Sequence, residues 1–156
     1  MYNYYWPTSF GRVPAPAKQA AFTDERRFLQ LVLKAIFNER KAQLFYGTLY
    51  DRSITAFQKE QVKHALDDEI KHERMLIQLY TTLTGQAPQV PHPGPQELAD
   101  YQEGLKEAFR DELEAAEAYR MMMLMTHLPW VRDQLFELMT DEMEHAQRFT
   151  FLRAEQ

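Results

Sequence analysis

Four long stretches of the chain place apolar residues three and four positions apart. That is the period of a helix burying one face. In the first stretch the face reads Phe28, Val32, Ile36, Glu39, Ala42 and Tyr46. In the second it reads Val62, Leu66, Glu69, His72, Leu76, Leu79 and Leu83. The third gives Leu105, Phe109, Glu112, Ala115, Tyr119 and Met122, and the fourth Val131, Leu135, Leu138, Glu142, His145, Phe149 and Leu152. The spacing predicts helices over about 24–49, 55–84, 96–125 and 129–153. Start and stop signals agree. Thr23 or Asp24 suits an N-cap, Thr55 with Gln58 forms a capping-box pattern, Gly85 suits a helix stop and Pro129 a first helical turn.

Two of the connections are short turns. The third, residues 85–95, carries four prolines and two glycines and cannot be helix. A helix of about 26 residues is about 39 Å long. Eleven extended residues reach roughly 36–40 Å, so this linker can run the length of a bundle. Two helical hairpins joined by one long crossover predict an all-α, ferritin-like four-helix bundle over 24–156. Residues 1–23, rich in aromatics and proline, read as an arm that packs on the body or on a neighbouring subunit.

Ionisable groups interrupt every apolar face. Asp68-Glu69-Ile70-Lys71-His72 and Asp141-Glu142-Met143-Glu144-His145 both read Asp-Glu-x-x-His. Positions i and i+3 share a helix face, so each motif sends a carboxylate and an imidazole inward together. A buried, unpaired carboxylate costs several kcal/mol or more, so these groups call for a cation or a proton. The two motifs stand 73 residues apart, and the same offset carries Glu39-x-x-Ala42-x-x-x-Tyr46 onto Glu112-x-x-Ala115-x-x-x-Tyr119. It also places Ala35 on Ala108 and Ile36 on Phe109. The chain is a tandem duplication of a helical hairpin, each half supplying one lone Glu and one Glu-x-x-His.

Composition narrows the function. At 156 residues and 45% hydrophobic, one domain with a sizeable core is expected. The net charge of −5 gives no footprint for nucleic acid or an anionic membrane. Without cysteine there is no disulfide, iron–sulfur cluster or Cys-bound iron, and a reducing, cytoplasmic setting is expected. No apolar run is long enough to cross a membrane, and the first 22 residues do not read as a secretion signal. Glu73, whose repeat counterpart is Ala146, is expected at the surface, as are Glu114, Glu117, His64, His92 and His127. The Met121–Met125 run reads as adaptable packing.

With these motifs in place, residues 24–153 resemble the ferritin-like di-iron carboxylate superfamily. The likeness is to rubrerythrin-type domains without a rubredoxin tail, and to bacterioferritin-type centres. It implies that Glu39, Glu69, His72, Glu112, Glu142 and His145 ligate two irons about 3.5–4 Å apart, with Glu69 and Glu142 bridging or chelating. Manganese or zinc can occupy such a set as well. It further implies that Asp68 and Asp141 accept hydrogen bonds from the ligand histidines, and that Tyr46 and Tyr119 bond the ligand carboxylates. Rubrerythrins place a further Glu one turn after the third-helix Glu. Here that position is Ala115, so the implied set is the more symmetric six. No catalytic residue is expected beyond the metal site. The implied activity is reaction with hydrogen peroxide or dioxygen using electrons from a separate redox protein, in a homodimer. Ferroxidase or iron-storage chemistry and a manganese catalase are the alternatives.

Overall fold

The computed structural model describes residues 20–155. Most of the expected N-terminal arm therefore lies outside the described residues. Four helices, α1 (Glu25–Arg52), α2 (Ala56–Thr84), α3 (Tyr101–Leu124) and α4 (Pro129–Ala154), make up the body.

Their ends are fixed by local chemistry. Asp24 caps α1 by accepting from the Arg27 amide. Thr55 and Gln58 exchange both bonds of a capping box at α2. Gly85 ends α2 with φ 71°, a left-handed conformation that a Cβ disfavours. Helix α3 starts five residues later than the apolar pattern suggests. Asp100 caps it by accepting from Glu103 N, and Leu98 is tucked beneath Gly104. The connection is thus 85–100, and it lies along α1. Arg40 donates to Val90 O at 2.8 Å, Thr48 to Gln96 O at 3.4 Å, and Arg52 to Ala99 O at 3.4 Å. Rising positions on α1 meet rising positions on the linker, so the crossover returns from the far end of α2 to the end where α1 stopped. The helices then run up, down, down and up.

Helix α1 packs on α2 and α3, and α4 packs on α3 and α2. At the lower end, residues 21–23 pair with the α3–α4 turn: Thr23 N donates to Met125 O at 2.8 Å and His127 N to Ala21 O at 2.9 Å. Phe22 seats against Phe28 there.

The core is two apolar plugs with a polar layer between them. The lower plug gathers Phe28, Val32, Ile36, Leu76, Leu135 and Leu138 among others. The upper one gathers Phe45, Leu49, Val62, Leu105, Phe149 and Leu152 among others. One inward position differs from the periodic reading. Phe109 is 37% exposed, and its neighbour Ala108 is fully buried instead. The upper plug is already filled by the rings of Phe45, Tyr46 and Phe149, so the small side chain takes the inside place. Leu66 and Leu83, also placed on the inward stripe, are only partly buried and pack against the plugs.

Candidate metal centre

Between the plugs, α1 and α3 each send in one glutamate, and α2 and α4 each send in a glutamate and a histidine. All six side chains are buried: Glu39, Glu69, His72, Glu112, Glu142 and His145. They fall into two sets whose candidate ligand atoms lie within 4.8 Å of one another, Glu39–Glu69–His72–Glu142 and Glu69–Glu112–Glu142–His145. Glu69 and Glu142 belong to both.

The second layer is arranged crosswise between the two hairpins. Asp141 lies 3.2 Å from His72 Nε2, and Asp68 lies 3.2 Å from His145 Nε2. A carboxylate there accepts the Nε2 proton, which leaves each Nδ1 lone pair facing the centre. Tyr46 donates to Glu112 Oε1 at 2.6 Å, and Tyr119 donates to Glu39 Oε1. Each of these four contacts joins the first half of the chain to the second.

The inner atoms converge, and apart from His145 Nδ1, 3.3 Å from Glu142 Oε2, several of them leave one another unsatisfied. Glu39 Oε2, Glu69 Oε1, His72 Nδ1 and Glu142 Oε1 are buried and have no hydrogen-bond partner among the described residues. Yet His72 Nδ1 is 3.2 Å from Glu142 Oε1 and 3.6 Å from Glu39 Oε2. Atoms this close that miss hydrogen-bond alignment point at a shared position rather than at each other. A buried orphan polar atom is costly, and four in one layer make a place that could hold a cation. Imidazole nitrogen with carboxylate oxygen suits a divalent transition metal. The residues present therefore fit a metal.

Protonation follows the same crowding. Burial raises the pKa of Glu69, and the neighbouring carboxylates of Glu142 and Glu39 raise it further. Burial likewise raises Glu112. For His72 burial opposes the charged form, but Glu142 and Glu39 outweigh it and push the pKa up to about 10. His145 is raised in the same way by Glu112, Glu142 and Glu69. Glu142 moves down despite its burial, because the imidazoles of His145 and His72 beside it favour its charged form. Burial holds both tyrosines protonated, so they remain donors.

Two features escaped the sequence reading. Lys71 spans the α2–α4 seam, 2.9 Å from Asp141 and 3.0 Å from Glu137, and so holds the carboxylate behind His72. Its position between Asp68 and His72 was the only signal available. Glu73 is partly buried rather than at the surface. It accepts from Arg40 Nε at 2.7 Å and from Gln43 at 2.9 Å, while Gln43 also donates to Glu69 O. Arg40 and Gln43 lie on the α1 flank that turns toward α2, which the inward stripe does not mark. His64 is exposed, as expected, and lies 3.2 Å from Asp68 and 3.6 Å from Glu144. His92, Glu114 and Glu117 are exposed, and none of them enters either set.

Between α1 and α3 a cavity of about 380 Å³ opens onto Glu39, Glu69, Glu112 and Glu142. Its walls include Ala42 and Ala115, the two repeat-related alanines.

No helix among the described residues is long and apolar enough to cross a membrane. No family model matches the chain, and no curated protein matches it. Solved structures do. A conserved hypothetical protein, rv2844, from Mycobacterium tuberculosis superposes with a TM-score of 0.72 at 17% identity, covering 83% of this chain and 99% of the other. A hypothetical protein from Pyrococcus furiosus gives 0.73 at 23% identity, covering 81% and 87%. A two-domain protein from Anabaena variabilis, with dj-1/thij/pfpi-like and ferritin-like domains, gives 0.67 at 15% identity, covering 85% of this chain and 37% of that one. At these identities the likeness is one of fold, and one of the proteins that share it contains a domain described as ferritin-like.

Proposed function

We propose that this chain is a ferritin-like di-iron oxidoreductase that reacts with hydrogen peroxide or dioxygen and draws electrons from a separate donor protein. The observation that carries the reading is the pair of overlapping ligand sets, each with one histidine and both sharing Glu69 and Glu142, whose inner atoms are buried and unpartnered. Glu39 and His72 would hold one metal, Glu112 and His145 the other, with Glu69 and Glu142 between them. Four carboxylates balance two divalent cations, so the loaded layer is near neutral. Bound iron supplies the ability to give and take electrons toward an oxygen species.

The protein's own groups do the rest. Asp68 and Asp141 keep the histidine Nε2 protons, and so keep the Nδ1 atoms available. Tyr46 and Tyr119 hold Glu112 and Glu39 in place, and stay protonated while doing so. The two plugs shut water out above and below, so reactants reach the layer from the α1–α3 side.

The test is metal analysis of protein grown without added metal, together with peroxide consumption by iron-loaded protein supplied with an artificial reductant. Two metals per chain and sustained consumption are expected. Absence of metal, or metal without any consumption of peroxide or dioxygen, overturns the proposal.

A further inference from the structure

The two hairpins are built alike but covered differently. On the first, the crossover lies against α1, where Arg40 donates to Val90 O and Thr48 to Gln96 O. The 73-residue repeat carries Arg40 onto Leu113 and Thr48 onto Met121 of α3. Polar groups that hold a backbone are thus replaced by apolar ones. Leu113 is 41% exposed, and Met121, Leu124 and Phe109 are exposed with it, so α3 presents an apolar stripe on its outer side. Beside the stripe runs a groove lined by Ala118, Met121, Leu124 and Met125, with Glu114, Glu117 and Arg120.

The repeat also identifies an occupant. The crossover precedes α3, and its counterpart is the stretch that precedes α1. Gly11-Arg12-Val13-Pro14 matches Gly85-Gln86-Ala87-Pro88, one residue out of the 73 register, and both stretches are rich in proline. The described end of this counterpart sits at the foot of the groove. Thr23 N donates to Met125 O at 2.8 Å, and Ala21 O accepts from His127 N at 2.9 Å and from Thr126 Oγ1 at 3.0 Å. From Met125 to Phe109 is about 24 Å of helix. Eight extended residues, 12–19, reach roughly 26–29 Å. Charge agrees as well. Residues 1–19 carry Arg12 and Lys18 and no acidic side chain, while the groove sets Glu114 and Glu117 against Arg120.

We infer that residues 12–19 dock along the outer side of α3 of the same chain, over Met121, Leu113 and Phe109, as the crossover docks on α1. Val13, Pro14, Pro16 and Ala17 supply apolar surface for the stripe, and burying it is the source of affinity. Arg12 and Lys18 supply the charge that Glu114 and Glu117 select. Proline restricts the undocked chain, so less freedom is lost on docking.

The chain has no cysteine, so disulfide formation in the full chain reads the docking directly. Cysteine is placed in turn at residues 15–18 and paired with Leu113→Cys. The reference partner is Arg74→Cys, an exposed position at similar height on α2. A disulfide needs Cα atoms within about 7 Å of each other. At least one Leu113→Cys pair should close within the chain, at least about tenfold faster than the same residue closes with Arg74→Cys. Arg12→Asp together with Val13→Asp sets acids against Glu114 and Glu117, and should slow that closure about tenfold. Equal rates for the two partners, or closure indifferent to the aspartates, overturns the inference. Closure between two chains, seen as disulfide-linked dimers on a non-reducing gel, also overturns it and gives this face to the arm of a second copy.

Discussion

Among the six inner residues, Glu69 and Glu142 differ from the rest because each belongs to both ligand sets. Replacing either by Ala removes an atom from both positions, so both metals should be lost. Glu39→Ala or Glu112→Ala touches one set and should leave about one metal per chain. Glu73→Ala, whose carboxylate is turned to Arg40 and Gln43, should keep two. Metal analysis of purified variants separates the three outcomes, and equal content in all of them would show the assignment to be wrong. Tyr46→Phe removes the donor at 2.6 Å from Glu112 and leaves a buried acceptor short of a partner. Urea denaturation of the metal-free variant should show a loss of about 1–3 kcal/mol. At this scale the sequence was highly informative. A carboxylate and an imidazole three apart on an apolar stripe, repeated once at constant offset, name the six residues that converge. What the stripe could not reveal was the flank: Lys71, Arg40 and Gln43 act across helix seams, where periodicity carries no signal.

The elements were legible where a cap residue stood beside a clear break in period, as at Thr55, Gly85 and Pro129. They were misread where the pattern ran on past the true end. Gln96 to Asp100 continues the helical rhythm into α3, but the Asp100 side chain takes the Glu103 amide and starts the helix at Tyr101. Leu98 packs under Gly104, where a Cβ would come within 2.8 Å of the Leu98 Cδ2 atom. The repeat also misled at Phe109, because equivalent positions in the two halves face different plugs. Gly85 gives a prediction at this level. Its φ of 71° is one an L-residue adopts at a cost, so Gly85→Ala should destabilise the fold by about 1–2 kcal/mol. The site is distant, so metal content should not change. Denaturation midpoints and metal analysis on the same samples check both halves of that statement.

For the whole molecule, the buried layer of carboxylates and imidazoles ties stability to pH. Without metal, Glu69 and Glu112 titrate above their ordinary 4.5, and His72 titrates near 10 instead of 6.5. The folded chain therefore keeps protons that the unfolded chain gives up. A raised group contributes its full stabilisation below its ordinary pKa and loses it as pH climbs through the raised one. Stability of the metal-free protein should fall from mildly acidic pH toward pH about 10. The lowered pKa of Glu142 acts in the opposite sense, but only below its ordinary 4.5. A metal held by these six residues would take the place of those protons and favour the folded state, so its affinity should rise with pH. The melting temperatures of loaded and metal-free protein should thus draw apart between mildly acidic and alkaline conditions. Thermal melts across that range decide it, and a gap that narrows with rising pH would mean the acids are not gathered around a cation.

The crosswise pairing has one more consequence. Neither hairpin can finish a ligand set, protect a histidine tautomer or satisfy a tyrosine from its own residues. Chain continuity supplies none of these contacts, since residues 85–100 contribute nothing to the layer. A nick at the exposed His92 should convert folding into a bimolecular association. The intact linker then acts only by raising the effective concentration of one hairpin for the other. Fragments 1–92 and 93–156, mixed, should reassemble with a melting temperature that depends on their concentration, and more strongly when metal is present. The residue types at each crossed contact are the same in both halves. A single ancestral hairpin could therefore have met every one of these requirements by pairing with its own copy, before any duplication joined the two.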